Sequence, residues 1–140
     1  MMSWSRRVMS VTFASALTLI TVGQPAQAAI SQDSGWVYTT DGAGKIYFDA
    51  DRKGYPGQEL LIVCDIKADA RGVTGAAEWR VDPVKFGKQI TDSSSSGDCT
   101  SYAGNFIPEG YLLHVWVCKY HTSTNDIGNF SYCRVGAGIG

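Results

Sequence analysis

The chain has 140 residues, of which 44% are hydrophobic and 18% charged, and its formal net charge is −1. This length allows one domain and leaves little room for a second. The balanced charge argues against a nucleic-acid-binding protein, which usually carries a basic surplus, and the apolar content is too high for intrinsic disorder.

The first 28 residues are typical of a secretory signal peptide. Arg6 and Arg7 supply a basic start, an apolar stretch covers 8–22, and residues 26–28 (Ala-Gln-Ala) have the small-residue pattern of a cleavage site. The apolar stretch is shorter than the ~20 residues of a bilayer-spanning helix, so we expect no membrane span in the mature form. The paired arginines also fit a twin-arginine signal, and the sequence does not decide between the two export routes.

Cleavage after Ala28 would leave a single domain, residues 29–140. Ten basic residues remain against thirteen acidic ones, so the net charge becomes −3. All four cysteines also remain, and they are Cys64, Cys99, Cys118 and Cys133. An even number of cysteines in a small exported domain indicates two disulfides and an extracellular location. The cysteine and histidine spacings of a zinc site are missing, so we expect no metal and no cofactor.

Short apolar or alternating segments separated by turn residues predict strands over most of this domain. In chain order they are 36–40, 45–49, 59–66, 76–82, 84–90, 111–120 and 129–135. Turns or loops are predicted at 41–44, 51–58, 72–75 and 91–98, and an irregular segment at 102–108. No segment has helical periodicity, so we predict an all-β fold, a small antiparallel β-sandwich or barrel-like domain.

The segment 59–66 is the strongest strand prediction. Its alternate positions form two sets, an apolar one of Leu60, Ile62, Cys64 and Ile66 and another bracketed by Glu59 and Asp65. Because alternate side chains share a face, we predict that the apolar set, with Cys64, points into the core. Pro83 cannot donate to a strand ladder, so it should end or edge the strand 76–82, in which Ala77, Trp79 and Val81 share a face.

Four cysteines allow three disulfide connectivities. A hairpin between 111–120 and 129–135, with its turn centred on Asn125 and Asp126, would place Cys118 directly opposite Cys133. Facing positions of an antiparallel pair come close enough for a disulfide. We therefore predict Cys118–Cys133 and, by remainder, Cys64–Cys99.

The residues that could carry catalysis form no recognisable motif. His114 lies inside a predicted strand, where a histidine is more often a hydrogen-bonded structural residue than a general base. His121 begins a loop. Glu78, Glu109 and Asp65 could supply the carboxylate pair of a glycoside hydrolase, but their spacing singles none of them out. We accordingly predict no catalytic residue and a protein that is not an enzyme.

Aromatic residues are the remaining functional signal. Trp36, Trp79 and Trp116 accompany seven tyrosines, and such side chains can stack on sugars or anchor a protein partner when they do not form the core. The loops 50–58, 91–98 and 103–110 are further candidates, since binding residues concentrate on loops of a rigid scaffold.

Several short motifs resemble those of a group of small secreted actinobacterial proteins. They are Gly35-Trp36, Val63-Cys64-Asp65-Ile66 with Ala68-Asp69, Gly97-Asp98-Cys99, Ile107-Pro108-Glu109-Gly110, Val117-Cys118 and Tyr132-Cys133-Arg134. The resemblance spans nearly the whole mature chain. It implies an exported two-disulfide β-domain and carries over no catalytic or binding residue.

The sequence favours a secreted, non-enzymatic binding domain, expected to be a monomer, with an extracellular protein or glycan as its partner. The alternative is a small secreted hydrolase or toxin that uses His114 or a Glu78/Glu109 carboxylate. The discriminating observation is whether His114 or Glu78 lines a cleft within hydrogen-bond reach of another titratable group.

Overall fold

A computed structural model describes residues 31–94, 96–121 and 129–140. Within these ranges the chain forms eight β-strands and no helix, which confirms the all-β prediction. The strands are β1 (Val37–Tyr38), β2 (Gly44–Asp49), β3 (Glu59–Asp65), β4 (Arg71–Val81), β5 (Val84–Asp92), β6 (Cys99–Gly104), β7 (Leu112–His121) and β8 (Ser131–Ile139).

The strands form two four-stranded antiparallel sheets. The first sheet has the order β1-β2-β3-β6, and the second has the order β5-β4-β7-β8. Most neighbours are consecutive in the chain, and β6 returns from the β4–β5 hairpin to pair with β3. This arrangement confirms the antiparallel sandwich.

One hydrophobic core lies between the two sheets. The first sheet supplies Ile46, Phe48, Leu61 and Val63, and the second supplies Val73, Ala77, Trp79, Leu113, Val115 and Val117. Ile107, from the loop before β7, is also fully buried there. The prediction for 76–82 is therefore right for Ala77 and Trp79, whereas Val81 lies beyond the core and is exposed.

The predicted orientation of β3 is wrong. Leu61 and Val63 face the core, so Leu60 and Ile62 lie on the outer face of the sheet and Ile66 is exposed beyond the strand. Cys64 is buried as predicted, but it belongs to the outer-face set rather than to the core cluster. Because alternate side chains of a strand point to opposite faces, this strand orientation also turns the carboxylates of Glu59 and Asp65 inward.

The predicted turn at 72–75 is also wrong, because β4 runs through it. Gly75 packs directly against the first sheet: a Cβ atom there would be 2.7 Å from Ile46 Cδ1 and 2.9 Å from Val63 Cγ2. At Gly72 a Cβ atom would meet the Tyr120 ring at 2.5 Å. These glycines make space for neighbouring side chains and do not form a turn.

Other predicted connections agree with the structure in part. The loops at 41–44 and 51–58 and the break at Pro83 are confirmed, since Val81 and Val84 pair across a two-residue connection. The segment predicted to be irregular at 102–108 begins inside β6, which pairs with β3 over its whole length.

Both predicted disulfides are confirmed. Cys64–Cys99 links β3 to β6, and Cys118–Cys133 links β7 to β8; in each the Cα atoms are 4.2 Å apart. Cys64 and Cys99 are direct register partners, and β7 pairs with β8 in the register that the proposed hairpin requires, with a bulge near Cys118. The predicted signal peptide and the turn at Asn125 and Asp126 lie outside the described residues.

Candidate functional site

A cleft opens on the outer face of the second sheet, the face turned away from the first sheet. Its volume is about 480 Å³, within the range of small-molecule sites. The cleft is lined by Glu78, Trp79, Arg80, Lys85, Tyr111, Leu112 and His114.

Strand register explains how these residues meet. Glu78 of β4 is the direct partner of His114 in β7, and Arg80 is the direct partner of Lys85 in β5. Because side chains two residues apart share a face, Glu78 and Arg80 project into the same cleft. The sheet thus gathers titratable groups from three strands.

Glu78 is held by two hydrogen-bond donors. Its Oε2 atom lies 2.6 Å from Lys85 Nζ, and the Trp116 side chain also donates to its carboxylate. Burial favours the protonated form, but these hydrogen bonds, together with the charges of Lys85 and His114, outweigh burial and lower the pKa of the Glu78 carboxyl. Glu78 is therefore a fixed carboxylate, unlike the general acid of a glycoside hydrolase, whose pKa is raised.

The structure thus brings together two of the sequence-predicted candidates, His114 and Glu78. Glu78 is within hydrogen-bond reach of a titratable group, so the stated condition for the enzyme alternative is met. Glu109 precedes β7 and is not a lining residue, which leaves Glu78 as the carboxylate of the described lining. Asp65 lies at the opposite end of the sandwich, where its N–H donates to Asp92 Oδ2 at 2.9 Å.

A second surface covers the outer face of the first sheet. We call it the aromatic face, and it consists of Trp36, Tyr38, Lys45, Tyr47, Leu60 and Ile62. Trp36 and Tyr38 are each 42% exposed, whereas Tyr47, Leu60 and Ile62 are half-buried. Lys45 lies against the rings of this face, and Asp49, two residues past Tyr47 on β2, shares the face.

The rings of the aromatic face are fixed by their neighbours. Trp36 and Tyr47 have centroids 5.1 Å apart with planes inclined by 41°, and Lys45 Nζ lies 4.2 Å from the Trp36 ring centroid. The Tyr47 hydroxyl donates to Asp33 Oδ2 at 2.6 Å. That hydrogen bond, followed by burial and the charges of Asp33 and Asp49, raises the pKa of Tyr47 to about 12.

The inward carboxylate of Glu59 has structural partners at one of its two oxygens. Glu59 Oε2 accepts the N–H groups of Phe106 at 2.7 Å and Ile107 at 3.4 Å. The loop at 103–110, which the sequence offered as a recognition loop, is consequently tied down, and its Ile107 forms part of the core.

A buried lysine organises the end of the sandwich opposite the cleft. Lys119 Nζ lies 2.9 Å from Asp41 Oδ2 and also bonds Asp69. Burial opposes the charge of Asp41, but hydrogen bonds from Lys119, Thr39 and the Ala43 N–H lower the pKa of Asp41 to about 2. Lys119 is subject to the same balance: burial disfavours its charge, yet the two carboxylates raise its pKa.

Sequence reasoning did not find either surface as a unit. It singled out Trp36 and His114 separately, but Leu60 and Ile62 were assigned to the core. The signal for the cleft was the matched alternation of Glu78-x-Arg80 and Leu112-x-His114 on strands that pair. That signal becomes visible only when the register is known.

Within the described ranges, no three histidine, cysteine, aspartate or glutamate side chains are grouped so as to hold a metal ion. No helix with the length and apolarity to cross a membrane is found there either. Comparison of the chain with protein-family models, with curated proteins and with solved structures finds no match.

Proposed function

We propose that this chain is a secreted, non-enzymatic binding domain that recognises a protein partner through its aromatic face. The observation that carries the proposal is the orientation of β3. Leu60 and Ile62 point outward beside Trp36 and Tyr38, while Glu59 is fully buried. A cluster of exposed apolar side chains on a soluble domain is typical of an interaction site.

The ring geometry favours a protein over a glycan. Planes inclined by 41° give Trp36 and Tyr47 no common flat surface for successive sugar rings, and the Lys45 ammonium occupies space over the Trp36 ring. Tryptophan and tyrosine beside aliphatic side chains are instead the composition of protein interface centres.

Charge defines the partner further. Lys45 lies among the rings and makes its cation–π contacts with Trp36 at 4.2 Å and Tyr38 at 5.9 Å. Covering this face would remove the ammonium from water, so a partner needs a carboxylate there to compensate. We therefore infer an apolar partner surface that carries an acidic residue opposite Lys45.

The extracellular setting is supported by the two disulfides, which persist in oxidising compartments. The secretory character of residues 1–28 agrees with it.

The test compares capture of culture-supernatant proteins by the wild-type domain and by Trp36→Ala and Tyr38→Ala variants, followed by titration of each captured protein against all forms. Tyr55→Ala is the matched control, because Tyr55 is at least as exposed, at 50%, but lies in the loop after β2. We expect the two face variants to weaken binding at least tenfold, the usual effect of losing an interface anchor, and the control to leave it unchanged. Binding that is insensitive to both face variants, or glycan-array binding that depends on Trp36, would overturn the proposal.

A second candidate is a hydrolase that uses the cleft, because Glu78 and His114 are direct register partners there. This function predicts turnover of a substrate by the wild-type domain. His114→Ala and Glu78→Gln should each abolish that turnover while the domain stays folded. The lowered pKa of Glu78 limits its role to that of a base or nucleophile.

A further inference from the structure

The cleft on the second sheet lies apart from the aromatic face, which covers the outer face of the first sheet. Arg80 and Lys85 are direct partners across β4 and β5, so two positive charges face each other. Lys85 is neutralised by Glu78 at 2.6 Å, whereas Arg80 is exposed and has no ionic partner among the described residues. In a chain with net negative charge, this end of the sheet therefore keeps a free guanidinium.

The walls beside Arg80 are largely apolar. Leu112 is 62% exposed, which is unusual for a leucine within a strand, and Tyr111 stands next to it. The two lie on the β7 side of the cleft, while Arg80 and Lys85 are contributed by β4 and β5. A ligand that spans the cleft meets a cation on one side and an apolar surface on the other.

The balance of charge narrows the choice of anion. Because Glu78 and Lys85 neutralise each other, Arg80 is left as the uncompensated charge of these three residues, and a singly charged anion matches it better than a highly charged one such as phosphate. A single carboxylate fits better, because its two oxygens match the planar donor pair of an arginine. The volume of about 480 Å³ suits a group the size of one or two amino-acid residues.

We propose that this cleft binds a monocarboxylate carrying an apolar side group, with Arg80 pairing the carboxylate and Leu112 and Tyr111 contacting the apolar group. Two sources share this chemistry, namely the free C-terminus of a peptide and a small organic acid. The two are told apart by whether residues before the terminal one add affinity.

The test is a titration of the wild-type domain with N-acetyl-L-leucine, followed by amide chemical shifts. We expect progressive shifts confined to 78–80, 85 and 111–114, and no such shifts with N-acetyl-L-leucinamide, which lacks the charge. Inorganic phosphate should bind at least tenfold more weakly. A leucine-terminated tetrapeptide and its amidated form then distinguish a peptide terminus from a small acid.

Two variants locate the interaction. Arg80→Gln should weaken the binding of N-acetyl-L-leucine at least tenfold, because a hydrogen-bonded charge pair is lost. Leu112→Ser should weaken the binding severalfold, because apolar contact is lost. The matched control is Arg134→Gln, since Arg134 lies on β8 of the same sheet and is not a lining residue. Spectra away from the cleft show that each variant is folded. Equal shifts with the amide, or an Arg80→Gln variant that binds as well as the wild type, would overturn the proposal whatever the aromatic face binds.

Discussion

At the scale of single residues, a buried carboxylate stabilises a distant loop, and its position in the sequence does not predict this role. Glu59 has no exposed surface, and its Oε2 atom accepts two backbone N–H groups from a loop more than 40 residues later in the chain. A buried donor without a partner costs more than an ordinary hydrogen bond contributes. The Glu59 side chain therefore helps to hold the loop before β7 in place, together with the core packing of Ile107.

Replacing Glu59 tests this dependence. Glu59→Ala should lower the free energy of unfolding by about 2–4 kcal/mol, because it strands the N–H groups of Phe106 and Ile107 and leaves a cavity. Glu59→Gln keeps an acceptor oxygen and should cost less than half as much. Urea unfolding measures both variants, and equal losses for alanine and glutamine would show that the hydrogen bonds contribute little.

Asp41 makes the stability of the fold depend on pH. Its pKa is about 2 in the folded chain, below that in the unfolded chain, so its ionised form stabilises the fold. The contribution is complete above about pH 5 and is lost as the pH falls toward 2. Asp65 acts in the opposite direction, because burial raises its pKa and its ionisation disfavours the fold.

A variant separates these two contributions. Asp41→Asn should destabilise the domain by about 2 kcal/mol at pH 6, and this difference from the wild type should shrink as the pH falls toward 2. Unfolding curves at a series of pH values check the prediction, since Asp65 is common to both proteins and cancels from the difference. A difference that stays constant with pH would contradict the assigned role of Asp41.

At the scale of elements, the sequence predicts where strands lie better than which way they face. Alternation placed β2, β3, β5 and β7 within a few residues of their bounds, and hairpin register predicted the Cys118–Cys133 bridge. The orientation of β3 was not predictable in this way, because both of its faces carry aliphatic residues. The inward position of Glu59 depends instead on remote donors, the N–H groups of Phe106 and Ile107 on the loop before β7.

The same limit applies to the candidate sites. The aromatic face exists because β3 has the unexpected orientation, and the cleft exists because β4, β5 and β7 pair in one particular register. The local sequence predicts a turn at Gly72 and Gly75, because glycine in a strand is uncommon. Their actual role, close packing against side chains of other strands, depends on contacts that local sequence does not contain.

Gly75 offers a direct test of sheet-to-sheet packing. Gly75→Ala would place a Cβ atom 2.7 Å from Ile46 Cδ1 and should destabilise the domain by about 1–3 kcal/mol. Ile46→Val removes that Cδ1 atom and should recover part of the loss when the two substitutions are combined. Gly87→Ala in β5 is the matched control, since its nearest contact would be an ordinary 3.4 Å. Thermal unfolding that ranks Gly87→Ala as the more harmful substitution would reject this packing account.

At the scale of the whole molecule, the two disulfides brace the two sheets separately. Neither bridge joins one sheet to the other, so the contact between the sheets rests on the shared hydrophobic core. A small domain buries a limited fraction of its surface, and each cross-link compensates by reducing the entropy of the unfolded chain. The bridges therefore act mainly on the unfolded state, while the core holds the sandwich closed.

This division predicts a ranking of the bridges. Cys64–Cys99 closes a segment of 35 residues and Cys118–Cys133 one of 15, so chain entropy alone assigns them about 4 and about 3 kcal/mol. Each bridge joins one buried cysteine, Cys64 or Cys118, to an exposed one, so lost packing adds about equally to both values and loop length decides the order. Paired alanine substitutions, Cys64→Ala with Cys99→Ala and Cys118→Ala with Cys133→Ala, should thus destabilise in that order in denaturant unfolding. The reverse order would mean that the β7–β8 bridge also fixes native structure around its bulge, and the entropic account would then be insufficient.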